Sequence, residues 1–486
     1  MVKSAYIHIP FCKHICSYCD FCKFIYNKDW VLKYLDSLKN EIDLDYKNEE
    51  LETTYIGGGT PSSLSCDELE KLLEICSIFK LKPGYEYTIE FNIEDITSQK
   101  LELCKKYNVN RISIGVQSFN KSYLSLLERN VKVNIEEKIL LTKKYFDNIS
   151  IDLIYALPNQ SLSDLKEDLD KYLKLDIPHI SCYSLIIEEH TKLNNMHFKP
   201  IDEDLDYDMY QLINNKLTGY NHYEISNYAK PGYESKHNLT YWNNEEYYGF
   251  GCGASSYIEN YRYNNSKNII NYLNKIYNKE SEKIDLDEKI RLELILGFRK
   301  IKGINISDFK KKYNKDILEL FNIKDLVKEE KLIINDDYIF INEKYLYISN
   351  EILINFVWVI EKWLIIKYNY FYDRRDIMDD TMADIFGSEQ NQQQVTIPTN
   401  TTTSYVVPTQ NISTPTQVNQ TVPDQANVIS MQDLIMEEEQ QSSQKTVVKK
   451  KDKILMIQLA LIIGWVVTTV LVYYFGYGLF EPFIEV

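Results

Sequence analysis

Residues 6–19 read YIHIPFCKHICSYC, and the placement of Cys12, Cys16 and Cys19 in that run governs how the rest of the chain is read. A short apolar strand leads into three thiols spaced four and three residues apart. Thiolates so placed can wrap one iron–sulfur cube, and three of them leave its fourth iron without a protein ligand. An open iron is a place for chemistry. A structural zinc site is the alternative, because Cys22 offers a further thiol and His14 lies between two of the cysteines. A closed zinc site needs four such ligands.

Outward from that run, strand-like segments alternate with helical patterns: AYIHI, TTYIGGG, YTIEFN, ISIGV, ISIDLIYAL and HISCYSL, with helices expected over 29–46 and 67–79 between the first three. Strands alternating with helices imply a parallel sheet joined by helical crossovers. Six of them predict an α/β fold, a partial (β/α)6 barrel over residues 1–204, with its chemistry at the C-terminal ends of the strands. Residues 205–356 read as an α+β accessory domain, closing on the strand and turn signals of LIINDDYIFINEKYLYIS.

After the second strand come Gly57, Gly58, Gly59, Thr60 and Pro61, without the Lys-Ser/Thr of a nucleotide loop. Successive glycines let a backbone approach a ligand closely, though a plain turn would also use them.

The texture changes near residue 357. Beyond a junction (357–388), residues 389–444 are expected to form a disordered linker, because Gln, Asn, Thr, Ser and Pro dominate its first forty or so residues. Five lysines between Lys445 and Lys453 then precede Ile454–Phe475, a stretch of 22 residues without a charge. That length spans a bilayer as one transmembrane helix, and the lysines hold its N-terminal side in the cytoplasm. The expectation is a cytoplasmic body anchored through 454–475, whether the tail is a working tether or a fused membrane polypeptide.

The chain has 486 residues, 9 cysteines and a net charge of −16. Cysteines without a secretory leader suit a reducing cytoplasm, where thiolates hold metal. A strongly negative balance disfavours general nucleic-acid binding, which rests on basic patches.

The spacing C-x3-C-x2-C and its flanks resemble the signature of the radical S-adenosyl-L-methionine (SAM) superfamily. Nine ordered motifs between residues 8 and 257 narrow the resemblance: HIPFCKHICSYCDF, YIGGGTPSSL, TIEFN, NRISIGVQSFN, IDLIYALPNQS, YSLIIEEHT, YEISNYAKPG, HNLTYW and YYGFGCGASSY. Together they look like the oxygen-independent coproporphyrinogen oxidase group, and more closely its heme chaperone branch, HemW. The resemblance covers about residues 1–355 and leaves the tail aside. Ala156 and Cys252 depart from the usual pattern at positions with no proposed ligand.

The resemblance implies a [4Fe-4S] cluster on Cys12, Cys16 and Cys19, with Tyr6 and Tyr18 flanking cluster and SAM. It implies that Gly58, Gly59, Thr60 and Glu90 hold the amino-acid end of SAM, and that Gln117, Arg129 and Asp152 contact it further along. His237, in the HNLTYW motif, would be the axial ligand of a bound heme. The oxidases carry a fourth cysteine two residues after the third, whereas Asp20 and Phe21 follow Cys19 here. The implied function is therefore a heme carrier that passes heme to an acceptor protein, such as a membrane cytochrome, with an electron donor serving the cluster. The alternative is an enzyme, a coproporphyrinogen III dehydrogenase that uses a SAM-derived radical.

Overall fold

The structure is a computed structural model describing residues 2–189 and 191–357. The rest of the 357–388 junction, the linker expected over 389–444 and the apolar stretch 454–475 lie outside those residues. Among the described residues no helix is long and apolar enough to cross a membrane.

Six strands, β1 (Ser4–Ile9), β2 (Glu50–Gly58), β3 (Lys80–Asn92), β4 (Arg111–Gln117), β5 (Asn148–Tyr155) and β6 (His179–Ser184), pair side by side in chain order, all parallel. The helices between them are α1 (Lys28–Asp45), α2 (Cys66–Cys76), α3 (Ser98–Lys106), α4 (Lys121–Leu126), α5 (Ile135–Lys143) and α6 (Leu162–Leu175). Each starts where a short polar side chain satisfies a free amide of the first turn: Asn27, Ser65, Thr97, Asn120, Asn134 and Ser161. Ser65 and Ser161 do so in reciprocal boxes with Glu68 and Asp164.

The register puts chemistry on one face of this sheet and packing on the other. Ile7, Ile56, Ile89, Ile112 and Ile149 lie in a row across β1 to β5, every one fully buried. One residue further along, on the opposite face, Glu90 of β3 aligns with Ser113, Ser150 and His179. Two residues beyond these, Asn92 aligns with Gly115, Asp152 and Ser181. A slip of one residue would exchange the two faces, so the isoleucine row fixes where the polar groups point.

The sheet does not stop at β6. Strands β7 (Asn221–Glu224) and β8 (Asn227–Ala229) extend it beyond β6, while β9 (Tyr247–Phe250), β10 (Ser255–Ile258), β11 (Tyr261–Asn265) and β12 (Lys279–Lys283) extend it beyond β1, making twelve strands. β9 runs parallel to β1, and β10 to β12 form an antiparallel meander. The region 205–356 therefore falls into two parts. Its first part continues the barrel sheet to Lys283, and a second core, built on residues such as Leu294, Phe298, Phe309 and Phe356, gathers 290–356. In that core Leu332–Asn335 and Tyr338–Ile341 form a hairpin, with Asp336 in the left-handed region at its turn.

Candidate functional site

The cysteine run leaves β1 and folds back on itself. Phe11–Cys12 pairs with Phe24–Ile25, and the Phe24 and Tyr26 amides donate to the carbonyls of Pro10 and Cys12. Residues 13–23 are thereby a loop pinned at its base. Ser17 fixes its far side, its amide and hydroxyl both donating to carbonyls at the end of α4. The loop overhangs a cavity of about 500 Å³ at the C-terminal ends of the strands.

Cys12, Cys16 and Cys19 all line that cavity, with Tyr18 between them. Burial raises the thiol of each, Cys12 to about 11, and the buried Arg129 guanidinium opposes the rise at Cys16 and Cys19. Among the described residues no three His, Cys, Asp or Glu side chains converge as one metal ion would need. Thiols that rim a cavity without meeting at a point suit the separate irons of a cube, and a nearby guanidinium suits its negative charge. Cys22 is turned elsewhere. Its Sγ packs against Gly253, where an added Cβ would lie 2.9 Å away, and the neighbouring Cys252 thiol and His8 pull its own thiol below the ordinary value.

The glycine run is dictated by protein neighbours, a point its sequence does not reveal. A Cβ on Gly57 would meet Glu90 Oε1 at 2.8 Å, one on Gly58 the His8 ring at 2.6 Å, and one on Gly59 the Pro10 carbonyl carbon at 2.8 Å. Gly58 also sits at φ +115°, which side chains rarely adopt. Through this close packing the Gly58 amide donates to Glu90 Oε2 at 3.1 Å, while Tyr55 donates to Oε1 at 2.8 Å. Burial raises Glu90 to about 7 against those two donors.

Gln117 closes β4 at φ +69°, where the pairing with β5 shifts register. Asp152 accepts from Ser181 at 2.8 Å and Ser113 at 3.3 Å, and burial raises its carboxyl. Gly58, Gly59, Thr60, Glu90, Gln117, Arg129 and Asp152 all line the one cavity. Asn92 was legible in TIEFN but carried no role there. It joins two of them, its Oδ1 accepting from Arg129 at 2.6 Å and its Nδ2 donating to Thr60 at 3.3 Å.

Two expected residues stand apart from the cavity. Tyr6 is half-buried with its hydroxyl 2.9 Å from His8 Nδ1, and it supports His8 without lining the cavity. His237 is 1% exposed at the opposite ends of β1 and β2, its Nδ1 2.7 Å from Thr53 Oγ1 and its Nε2 2.8 Å from the Tyr241 hydroxyl. Both ring nitrogens are occupied, so this arrangement offers heme iron no free imidazole there. Its helix (Lys236–Trp242) starts on the Glu86 carboxylate, which accepts from the Lys236 and His237 amides. Its neighbour Asn238 does reach the cavity.

Comparison with known proteins agrees with this architecture. Residues 6–172 match the radical SAM superfamily model and residues 284–344 the HemN C-terminal domain, the latter falling on the second core. The heme chaperone HemW of Lactococcus lactis is 41% identical over 348 residues, covering 69% of this chain and 91% of that protein. HemW of Bacillus subtilis is 39% identical, covering 69% and 93%. The solved structure of Escherichia coli coproporphyrinogen III oxidase (HemN), a radical SAM enzyme, superposes with a TM-score of 0.64 at 21% identity, covering 73% of this chain and 90% of that one. That last likeness concerns the fold alone. Identity at this level across nearly the whole of the HemW relatives places the chain plainly: it belongs to the HemW family of the radical SAM superfamily.

Proposed function

We propose that this protein is a heme chaperone, carrying heme to an acceptor protein and holding a [4Fe-4S] cluster and SAM in the cavity at the strand ends. The observation that carries the reading is the three-thiol loop beside a fourth thiol facing Cys252 and Gly253. It joins the similarity to proteins named heme chaperones. Cys12, Cys16 and Cys19 would hold the cluster, with Tyr18 packed between them. The Gly58 to Thr60 backbone and Glu90 would take the amino-acid end of SAM, a carboxylate facing an ammonium. Gln117, Arg129 and Asp152 would line the remainder of its site. When bound, the reduced cluster supplies the electron that radical chemistry on SAM requires.

The acceptor, an electron donor for the cluster, and a tether formed by residues 454–475 belong to the same proposal. A tether would raise the local concentration of the carrier near membrane-bound acceptors. Full-length protein should then resist carbonate extraction, and protein ending at residue 356 should not sediment with membranes.

The deciding experiment is anaerobic. Reconstituted protein is offered heme and, separately, coproporphyrinogen III with SAM and a reductant. Stoichiometric heme binding and release to an apo-cytochrome, without protoporphyrinogen, is expected. Turnover of coproporphyrinogen without heme binding would instead make this protein the dehydrogenase.

A further inference from the structure

Heme needs an axial ligand and an apolar surface for its ring. Burial and hydrogen bonding narrow the imidazoles that can serve. His8 is held at both nitrogens, by the Tyr6 hydroxyl and the Cys22 carbonyl. His179 lines the cavity but is bound by Ser150 and Tyr223. His237 is bound by Thr53 and Tyr241. His14 differs from all three: it is exposed, it lines the cavity mouth, and among the described residues no side chain hydrogen-bonds its ring.

Two large apolar side chains stand exposed on the same rim. Phe21, on the same loop, is 69% exposed; Ile186, on the segment after β6, is 58% exposed; both line the cavity. Large exposed apolar side chains gathered from two separate segments mark a binding surface more than a solvated one. Lys23 lines the same mouth, its ammonium held by the Cys19 and Phe21 carbonyls, and it places a cation where a propionate would need one. A planar apolar ring with a metal at its centre and carboxylates at its edge matches this combination.

We propose that heme binds across the cavity mouth with His14 as axial ligand and with its ring against Phe21 and Ile186. This rests on the heme-carrier reading above. Because His14 lies between Cys12 and Cys16, the loop that holds the cluster also positions the heme ligand.

The test is an anaerobic titration of cluster-loaded full-length protein with hemin, followed by Soret absorbance and the resonance Raman iron–histidine signature. His14→Ala and His14→Gln should each lose that signature and weaken heme affinity by about tenfold or more, with iron content and SAM binding unchanged. In His14→Gly, added imidazole should restore the signature. The double variant Phe21→Ser, Ile186→Ser should bind heme more weakly yet keep the signature. A parental signature and affinity in both His14→Ala and His14→Gln would overturn the proposal. If the parent binds no heme at all, the carrier reading itself fails, a result distinct from loss confined to the variants.

Discussion

Nδ1 of His237 lies 2.7 Å from Thr53 Oγ1, joining a helix near residue 240 to the second strand of the sheet. The Thr53 hydroxyl also contacts Ser4 Oγ at 2.8 Å, so a single imidazole ties β1, β2 and the helix together. Its HNLTYW setting suggests a ligand, and its partners make it a fastening.

His237→Ala should therefore cost stability, about 2 kcal/mol, because the part-buried Tyr241 hydroxyl loses its partner and Thr53 is left with Ser4 alone. Burial lowers the imidazole from its ordinary value to about 3, so between there and about pH 6.5 the unfolded chain binds a proton that the native one does not. That group's contribution is whole above the window and is lost as pH falls through it. Chemical denaturation at about pH 7.5 and about pH 5.5 should show a smaller pH difference for His237→Gln than for the parent, with the heme signature unaltered in the variant.

Cys16→Ala should abolish the brown chromophore of reconstituted protein, and Cys22→Ala should keep it, as measured by iron and sulfide content. Cys22 packs on Gly253, away from the cavity, whereas Cys16 lines it. Equal iron in Cys16→Ala and parent would remove the cluster assignment.

The two neighbouring glycines should fail differently. An added Cβ at Gly58 meets the His8 ring and takes an unfavourable φ; one at Gly59 meets the Pro10 backbone and stands 3.0 Å from Cys12 Sγ. Gly58→Ala should weaken SAM binding by about tenfold with iron retained, whereas Gly59→Ala should lose iron as well. Calorimetry on iron-loaded protein and iron analysis separate the two outcomes.

Glu90 should make SAM binding pH-dependent. Its carboxyl, raised to about 7 by burial, loses its proton as pH rises through that value and then faces the SAM ammonium as an anion. Affinity should rise between about pH 6 and about pH 8 in the parent and stay flat in Glu90→Gln. In the absence of SAM the sign for stability is opposite. The native state binds the extra proton between the ordinary carboxyl range and about 7, so this group's contribution is present below that window and declines as pH rises across it.

The cysteine run, the glycine run and the alternation of strands are local patterns, and the residues they point to, from Cys12 to Asp152, line a single cavity. What escaped the sequence depends on distant partners. The burial of His237 is fixed by Thr53, the need for Gly57 by Glu90, and the orientation of Cys22 by Gly253. The continuation of the sheet past residue 205 to Lys283 was illegible for a similar reason: short strands such as β9 carry too few residues to announce that they pair with β1. Tyr6, an aromatic beside the signature, has the same look in sequence whether it faces a ligand or supports His8.

The strand that delivers Cys12 has Tyr55 beside Tyr6 on one edge and Gly249 on the other. During synthesis the first edge is covered early, but the second stays open while the chain grows from Tyr55 to Gly249, a delay of about ten to forty seconds at about 5–20 residues per second. An open edge of that kind invites pairing with another chain. The anchors that close over the cysteine loop, Gly251 against the His8 carbonyl and Gly253 against Cys22, arrive with the same late segment. The cysteines are made well before the segment that locks them in place. Iron delivered before that segment docks would meet a loop still free to move, and a nascent chain stalled short of β9 would offer both its thiols and a bare strand edge to its neighbours.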